Sequence, residues 1–389
     1  MKSPIIVIAD DFTGAAEIAG IGLRYQLRVE IMTNLETDSQ ADLWVIAANT
    51  RSLTEIEAKK IISELSEQLL ALKPTLIYKK IDSVLRGHIL VEITEILQKT
   101  NHHQVLIVPT NPSLGRTIIN GNYFVKGVLI SETSFAHDPE FAIKSSHVLA
   151  MIKAENTTVQ VLNTKDILPK EGIFIAEANT KEDIEYWVFQ ANQNTLLVGA
   201  ADFFNAILAK YCQNNSDKKQ VLVHDNSKFK NAKTLYVSGT TFGKSVQAIA
   251  LKSQLDGSVS YLPEAFFSDK NEAKIIQAWA NEILCLLQNH PSVIVAIGDL
   301  SDYDVLPTQL AKWMGLVVKK VLENSEIQEL LIEGGATAAA ILQTLSFTRF
   351  MPTNEFSQGV IRMKCQGETQ TYLTIKPGSY EWSKEIWEF

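Results

Sequence analysis

The amino-acid sequence predicts an α/β fold of two domains, each a mainly parallel sheet flanked by helices. Short apolar runs alternate with segments whose apolar residues have helical spacing, as in parallel sheets that are covered on both faces. The length of 389 residues exceeds what one domain usually holds. The polar segment 212–220 lacks periodicity and the alternation restarts after it, so we expect a linker between domains at 1–215 and 221–389.

In the first half, apolar runs predict strands, and the segments between them predict helices. The expected strands lie at 5–9, 29–32, 43–48, 75–80 and 104–109. The expected helices lie at 14–25, 54–72 and 88–99. Turn signals at Asn120-Gly121 and Lys126-Gly127 predict a hairpin within 120–130. The α/β pattern then continues over 172–180, a polar helix near 181–193 and the segment 195–209.

The second half repeats the same style of pattern. It begins with a strand and turn over 234–245, and a helix follows to about residue 255. Further helices are expected at 270–289 and 305–323, with strand-like runs at 293–299 and 329–333. Two late strands are expected within 359–365 and 371–380.

Composition and charge exclude several classes of protein. The net charge of −8 argues against a nucleic-acid-binding surface, which normally requires a basic face. Cys212, Cys285 and Cys365 have neither the spacing of a zinc site nor that of a disulfide framework. No apolar stretch reaches the roughly 18 residues of a membrane span. We therefore expect a cytoplasmic protein with no membrane or nucleic-acid partner.

Charged and polar side chains follow several of the predicted strands in the first half. Ligands of parallel sheets bind beyond the carboxyl ends of the strands, so these residues predict one polar pocket. Taken singly, each would be explained by a helix cap or a surface salt bridge. The residues are Asp10, Asp11, Asn49, Arg51, Lys79, Lys80, Asp82, Ser83, Arg86, Asn111 and Arg116.

Glycine-rich turns follow two strands of the second half. "VSGTTFGKS" and "IEGGATAAA" each lead into a predicted helix, where free backbone N–H groups and the helix dipole favour an anion such as phosphate. The first turn nearly matches a P-loop, but only three residues separate Gly239 from Gly243-Lys244-Ser245, where the motif requires four. A third glycine turn, "KPGSY", lies near the end of the chain.

These residues resemble the four-carbon acid sugar kinase family. The resemblance rests on "IADDFTGA", "YKKIDSVLRGHI" and "PSLGRTIINGNYFVKGVLISETSFAHDP", which occur in the family's order and spacing. It implies ATP-dependent phosphorylation of a four-carbon sugar acid, with Mg²⁺ and an active site in the cleft between the domains. By position, the implied substrate residues are Asp10, Asp11, Arg51, Lys80, Asp82, Ser83 and Arg86. The implied nucleotide residues are Ser238, Gly239, Thr240, Gly334, Gly335, Ala336, Thr337 and Gly378.

The resemblance also suggests individual roles and leaves alternatives open. Arg86, with Arg51 or Lys80, is expected to clamp the substrate carboxylate. Asp10 or Asp11 is expected to accept a proton, and the other to cap a helix that starts near Thr13. Asp10, Asp11 and Arg86 are thus the candidate catalytic residues, and no metal ligand is identified.

Two rival functions remain open at this point. The family reads GGDT or GGET where this chain has Ala336, so one alternative is a catalytically impaired sugar-acid-binding protein. Another is a P-loop NTPase that uses residues 239–245. A dehydrogenase is weaker, because no G-x-G-x-x-G follows the first strand. The sequence determines neither the substrate among threonate, erythronate and 3-oxo-tetronate nor the oligomeric state, and a homodimer remains an open expectation.

Overall fold

The structure, a computed structural model, contains two compact units, Met1–Leu222 (unit 1) and Val223–Phe389 (unit 2). The predicted linker lies outside the described residues from residue 214 onward, so the domain boundaries at 215 and 221 stay a prediction. None of the described helices is long and apolar enough to cross a membrane. The structure describes residues 3–138, 140–154, 158–213, 232–240, 243–268, 271–300, 303, 305–367, 371–378, 380, 382 and 386.

Unit 1 contains a parallel sheet with the strand order β2-β3-β1-β4-β11-β5-β10-β9. Every residue of β1, β3, β5 and β11 is buried, which explains why these strands are continuous apolar runs rather than alternating ones. The elements are β1 (Ile5–Ala9), α1 (Phe12–Arg24), β2 (Val29–Met32), β3 (Leu43–Ala47), α2 (Glu55–Leu72), β4 (Leu76–Lys80), α3 (Ile89–Lys99), β5 (Gln104–Val108), β6 (Arg116–Ile119), β7 (Asn122–Val125), β8 (Val128–Leu129), α4 (Val148–Met151), β9 (Val159–Leu162), β10 (Gly172–Ala176), α5 (Lys181–Gln190), β11 (Thr195–Gly199) and α6 (Ala201–Gln213).

The predicted hairpin is confirmed as a small separate sheet of β6, β7 and β8. Asn120 and Gly121 connect β6 to β7 with φ values of 50° and 72°. Lys126 and Gly127 connect β7 to β8 with φ values of 51° and 82°. Two successive residues with positive φ are the mark of the type I′ turn, whose twist matches that of an antiparallel pair.

Unit 2 contains a second, mixed sheet with the strand order β13-β14-β12-β15-β18-β17-β16. The pairs from β13 to β18 are parallel, whereas β17 runs antiparallel to both β18 and β16. The elements are β12 (Thr234–Ser238), α7 (Gly243–Asp256), β13 (Val259–Tyr261), α8 (Ala265–Ser268), α9 (Glu272–Asn289), β14 (Ser292–Ala296), α10 (Pro307–Asn324), β15 (Glu329–Glu333), α11 (Gly335–Leu345), β16 (Arg349–Ser357), β17 (Val360–Cys365) and β18 (Tyr372–Lys376).

The predicted fold class is confirmed, since each unit is a mainly parallel sheet flanked by helices. Among the described strands, four were not predicted: β6, β9, β13 and β16. β13 has only three residues, too few to show a period. β16 contains Pro352 and polar residues, and its pairing with β17 shifts register between Pro352 and Asn354. A proline within a run normally argues against a strand, so this segment was not predicted as one.

Candidate functional site

The carboxyl ends of three neighbouring strands bring together the predicted substrate residues of unit 1. β1 lies between β3 and β4, and Ala9 pairs with Ala47 on one side and Lys80 on the other. The loops after these strands therefore leave the sheet at the same level, where ligands of parallel sheets bind. They carry Asp10 and Asp11 after β1, Asn49 and Arg51 after β3, and Asp82, Ser83 and Arg86 after β4.

Arg51 joins the two adjacent aspartates. Its Nε and Nη2 atoms donate hydrogen bonds to the carboxylate of Asp10 at 2.9 and 3.0 Å. Its Nη1 atom donates to Oδ2 of Asp11 at 2.8 Å. Bidentate guanidinium–carboxylate pairs are among the strongest charge-assisted hydrogen bonds. Two like charges can stand side by side here because Arg51 pairs with both of them and Lys80 adds a second positive charge near Asp11.

Asp11 also caps helix α1. Its Oδ1 atom accepts a hydrogen bond from the backbone N–H of Gly14 at 2.8 Å, and Oδ2 accepts one from the hydroxyl of Thr13. Burial opposes ionisation of Asp11, but the positive charges of Arg51 and Lys80 outweigh it and lower the pKa of its carboxyl. The expectation that one aspartate caps a helix near Thr13 is confirmed, and that aspartate is Asp11.

Asp10 has a different environment from its neighbour. Its side chain is deeper, and only 3% of the residue is exposed. Burial raises the pKa of the Asp10 carboxyl, and the negative charge of Asp11 adds to this, while Arg51 acts in the opposite direction. A carboxylate with increased proton affinity suits the acceptance of a proton better than one whose pKa is lowered.

Lys79 and Lys80 have separate partners, as expected from the alternation of side chains along β4. The Nζ atom of Lys80 lies 3.4 Å from the carboxylate of Glu17 on α1. The Nζ atom of Lys79 lies 2.5 Å from the carboxylate of Glu92 on α3. Thr50, the residue before the aspartate-binding arginine, donates its hydroxyl hydrogen to Glu92 at 2.7 Å. Both lysines are therefore buried cations that neutralise buried acids.

Arg86 forms a second guanidinium–carboxylate group with Asp82 and Asp138. Its Nε and Nη2 atoms donate to Asp82 at 2.7 and 3.1 Å, and its Nη1 atom donates to Asp138 at 2.8 Å. Burial opposes ionisation of Asp82, but Arg86 and Arg51 hold its pKa far below the ordinary value. Leu85, within the same loop, has a φ of 64°, a left-handed conformation that is strained for a large side chain.

A third arginine lies beside this group. Nη1 of Arg116 donates to the hydroxyl oxygen of Ser83, and the hydroxyl of Tyr123 donates to the backbone carbonyl of Ser83 at 2.5 Å. The guanidinium carbons of Arg86 and Arg116 lie 6.0 and 5.7 Å from the ring centre of Phe135. One phenyl ring thus lies within cation–π distance of both guanidinium groups.

Six of the residues described above for this region were not predicted as part of the site: Glu17, Thr50, Glu92, Tyr123, Phe135 and Asp138. Asp138 lies in the "TSFAHDP" segment that carries the family resemblance, so the motif itself contained a signal. Glu17 lies on α1, which is buried on nearly all sides, and Glu92 lies on the buried face of α3. An acid in that position predicts a buried cation opposite it, because an unpaired buried charge is costly.

In unit 2, the predicted glycine turns come together at the carboxyl ends of the adjacent strands β12, β15 and β18. A Cβ atom on Gly239 would lie 1.8 Å from the hydroxyl oxygen of Thr337, so only glycine permits this approach. A Cβ atom on Gly378 would lie 3.3 Å from the hydroxyl of Thr240. Gly334 has a φ of 106° and precedes helix α11, whose first turn contains Gly335, Ala336 and Thr337.

A buried acid below these turns was not predicted. Glu333, the last residue of β15, is fully buried and lies 2.8 Å from the Nζ atom of Lys376. Its carboxylate accepts hydrogen bonds from Tyr236 at 2.5 Å, Ser245 at 2.6 Å and Trp382 at 3.2 Å. Burial and the Glu333 charge raise the pKa of the Tyr236 hydroxyl. This network connects β12, α7, β15 and β18 and so fixes the base of the glycine turns.

A cavity of about 370 Å³ opens beside the glycine turns. Its volume falls in the roughly 300–1,000 Å³ range of small-molecule pockets. The hydroxyl oxygen of Ser238 is buried and has no hydrogen-bond partner among the residues that the structure describes. Ser238, Thr240, Tyr261, Phe267, Asp299 and Tyr303 contribute to the lining. Aromatic faces, hydroxyls and an unsatisfied buried oxygen fit a nucleotide.

The P-loop alternative finds little support from the same region. Thr241 and Phe242 lie outside the described residues. The hydroxyl of Ser245, which would bind Mg²⁺ in a P-loop, donates instead to the buried carboxylate of Glu333. Across the described ranges, no group of three His, Cys, Asp or Glu side chains is placed to hold a metal ion.

Comparison with known proteins identifies the family. A family model described as a sugar-binding N-terminal domain matches residues 5–230, which is more than half of the chain. The matched range contains all of the charged groups described above for unit 1. The chain belongs to this family, that of the four-carbon acid sugar kinases.

Named members of the family are similar to the chain over most of its length. The D-threonate kinase of Salmonella typhimurium is 25% identical over 376 residues, which cover 88% of this chain and 86% of that protein. The 3-oxo-tetronate kinase of Brucella melitensis is 23% identical over 410 residues, which cover 96% and 92%. The crystal structure of a Haemophilus influenzae protein of the DUF1537 family is 21% identical, with a TM-score of 0.72 over 98% of both chains, and supports the fold.

Proposed function

We propose that this chain is a kinase that transfers the γ-phosphoryl group of ATP to a terminal hydroxyl of a four-carbon sugar acid. The observation that carries the proposal is the cluster of Asp10, Arg51, Asp82 and Arg86 at the carboxyl edge of the unit 1 sheet. Asp10, Asp82 and Arg86 lie in the sequence motifs that resemble those of the family, and two relatives are named as kinases of four-carbon acids. Carboxylates and guanidinium groups in one polar site suit a small ligand with hydroxyls and a negative charge.

The glycine turns of unit 2 are the proposed nucleotide site. Ser238, Gly239 and Thr240, the segment 334–337 and Gly378 would surround the phosphates with backbone N–H groups and hydroxyls. Mg²⁺ would be held chiefly by phosphate oxygens and water, in keeping with the few carboxylates that such sites require. ATP would supply the phosphoryl group, and its metal ion would neutralise the charge that develops on transfer.

Asp10 is the proposed proton acceptor. Arg51 uses two N–H groups to fix the Asp10 carboxylate, and each carboxylate oxygen keeps a second lone pair for a ligand. As the acceptor hydroxyl oxygen forms its bond to phosphorus, the P–O bond to the leaving ADP breaks and the proton ends on Asp10. Asp11 keeps its place as the cap of α1, and Asp82 remains ionised and can accept hydrogen bonds from substrate hydroxyls.

A kinase assay over a panel of sugar acids tests the proposal. ADP formation is measured with purified protein, ATP and Mg²⁺, using D-threonate, D-erythronate and 3-oxo-tetronate in turn. We expect turnover with at least one of them. Calorimetry with the same acids provides the second readout. Binding without turnover across the panel would contradict the kinase proposal and support the rival sugar-acid-binding protein that the replacement by Ala336 suggested.

Replacing Gly239 with Ala is expected to raise the KM for ATP roughly 5- to 150-fold. The added Cβ atom would meet the hydroxyl of Thr337 and force the turn apart, and overpacking of this kind costs about 1–3 kcal/mol. The matched control is Gly243→Ala, since a Cβ atom there meets no atom within 4 Å. Equal KM values for ATP in the two variants would show that the Gly239 turn does not contact the nucleotide.

Replacing Lys244 with Ala separates the proposal from the P-loop alternative. In a P-loop the lysine contacts the β- and γ-phosphates, and its loss should remove nearly all activity. We expect kcat/KM for ATP to fall by no more than about tenfold, because the glycine turns rather than this lysine are proposed to hold the phosphates. A loss of kcat/KM by several orders of magnitude in a folded variant would instead support the P-loop NTPase.

A further inference from the structure

Most cations of the unit 1 site already have protein carboxylates as partners. Arg51 directs three of its five N–H groups at Asp10 and Asp11, and Arg86 directs three at Asp82 and Asp138. Lys80 is paired with Glu17. These cations therefore serve first to hold the acids in place. A substrate carboxylate that approached any of these cations would compete with the protein carboxylate that is already paired with it.

Arg116 differs from these three cations. In the part of the chain that the structure describes, its guanidinium has a hydroxyl partner, Ser83, and lies within ion-pair distance of no carboxylate, although its charge also helps to lower the pKa of Asp82. The contact uses one N–H of Nη1, which leaves four N–H donors for a ligand. The Ser83 oxygen acts as the acceptor in this contact, so its own hydrogen is available to donate as well. Together the two side chains present several hydrogen-bond donors and one positive charge, which suits the binding of an anion.

The position of Arg116 is fixed before any ligand binds. Its backbone N–H and carbonyl exchange hydrogen bonds with Asn111 at 3.0 and 2.9 Å, so the residue starts β6 from a closed loop. The ring of Phe135 contacts its guanidinium from one side. Tyr123 holds the backbone of Ser83 through a buried hydrogen bond. A preorganised guanidinium loses little entropy on binding, which favours tight and specific recognition.

We propose that Arg116 and the hydroxyl of Ser83 form the subsite that binds the carboxylate of the sugar acid. The inference rests on the proposed function and refines it. Arg116 is a specificity-determining residue that distinguishes an acid from a neutral sugar alcohol or amide of the same length. Arg51 and Arg86 then act as positioning residues, which orient Asp10 and Asp82 toward the hydroxyls of the substrate. The clamp expected of Arg86 with Arg51 or Lys80 stays a prediction, and Arg116 is its alternative.

Calorimetry and kinetics of Arg116→Gln test this subsite. Binding of D-threonate, D-erythronate and 3-oxo-tetronate to the full chain is measured for wild type and variant, beside the primary amides of the same acids. We expect the acid affinity to fall roughly 10- to 150-fold, the range for hydrogen bonds to a charged group. The KM for ATP and the weak affinity for the amide should not change. Arg116→Lys should retain part of the acid affinity, because it keeps the charge but loses the planar fork.

Two comparisons make the outcome decisive. Arg28→Gln removes an arginine whose side chain is 52% exposed and paired with Asp42, and it controls for loss of net charge. Equal losses for acid and amide, or an unchanged acid affinity in Arg116→Gln, would overturn the subsite. If Arg116→Gln does not fold, the same ligands are measured with Arg116→Lys. An unchanged acid affinity, or equal losses for acid and amide, would again overturn the subsite.

The two proposals can fail separately. If wild type binds an acid without turnover, the kinase proposal fails, while the affinity comparison still judges Arg116. If wild type turns over an acid and Arg116→Gln keeps its KM, the subsite alone fails. If wild type neither binds nor turns over any acid of the panel, both are overturned.

Discussion

Replacing Asp10 with Asn is expected to lower kcat by about 10²- to 10⁴-fold, the contribution typical of a general base. Asp11→Asn is expected to leave kcat within about tenfold of wild type, because Asn remains a good N-cap and still accepts the N–H of Gly14. The difference follows from environment. Burial raises the pKa of Asp10, whereas Arg51, Lys80 and the helix-capping contacts lower that of Asp11.

The pH dependence adds a second readout to this pair of variants. A general base must be ionised to act, so kcat/KM of wild type should fall as the pH drops through the pKa of Asp10. Because that pKa lies above the ordinary value for Asp, the decline should start at a higher pH than for a typical aspartate. This decline of kcat/KM at low pH should disappear in Asp10→Asn and persist in Asp11→Asn. Equal, mild losses of kcat in both variants would contradict the assignment of Asp10, provided that thermal unfolding shows both to be folded.

The clustering of the candidate site residues in unit 1 could be predicted from the sequence, but which acid pairs with which cation could not. Asp10, Arg51 and Asp82 each follow an apolar run, and the carboxyl ends of parallel strands lie at one edge of the sheet. Which acid binds which cation depends on the order of strands and the packing of distant loops. Asp138 reaches Arg86 across 52 residues of sequence, and no local pattern encodes that contact.

In unit 2, too, local features could be predicted from the sequence and long-range contacts could not. Two of the glycine turns are visible in the sequence because only glycine tolerates the geometry at Gly239 and Gly334. Glu333 gave no signal, since a single acid at the end of a strand usually faces solvent. Its burial arises from partners on three other elements and the C-terminal segment, Tyr236, Ser245, Lys376 and Trp382, which meet only in the folded unit. Long-range polar networks of this kind are beyond periodicity and motif arguments.

Replacing Lys79 with Met is expected to destabilise unit 1 by about 3–5 kcal/mol, the usual cost of leaving a buried charge without its partner. Lys79 and Glu92 are 0% and 1% exposed, and the remaining partner of Glu92 among the described residues would be the neutral hydroxyl of Thr50. The measurement is the free energy of unfolding in urea, taken as the difference from wild type. Lys60→Met is the control in the same unit. Lys60 and its partner, Glu64, are 75% and 60% exposed, so about 0–1 kcal/mol is expected.

The double variant Lys79→Met with Glu92→Met decides whether the effect comes from the unpaired charge or from lost packing. Two apolar side chains of similar volume leave no buried charge, and such replacements are often neutral or stabilising. We therefore expect the double variant to recover most of the stability lost in Lys79→Met. Its kcat/KM should still fall, because Lys79 contributes a positive charge near Asp10 and lowers the pKa of that carboxyl. A double variant as unstable as Lys79→Met would show that shape, and not charge, fixes this position. Full recovery of both stability and kcat/KM would show that the buried pair has no influence on the proposed base.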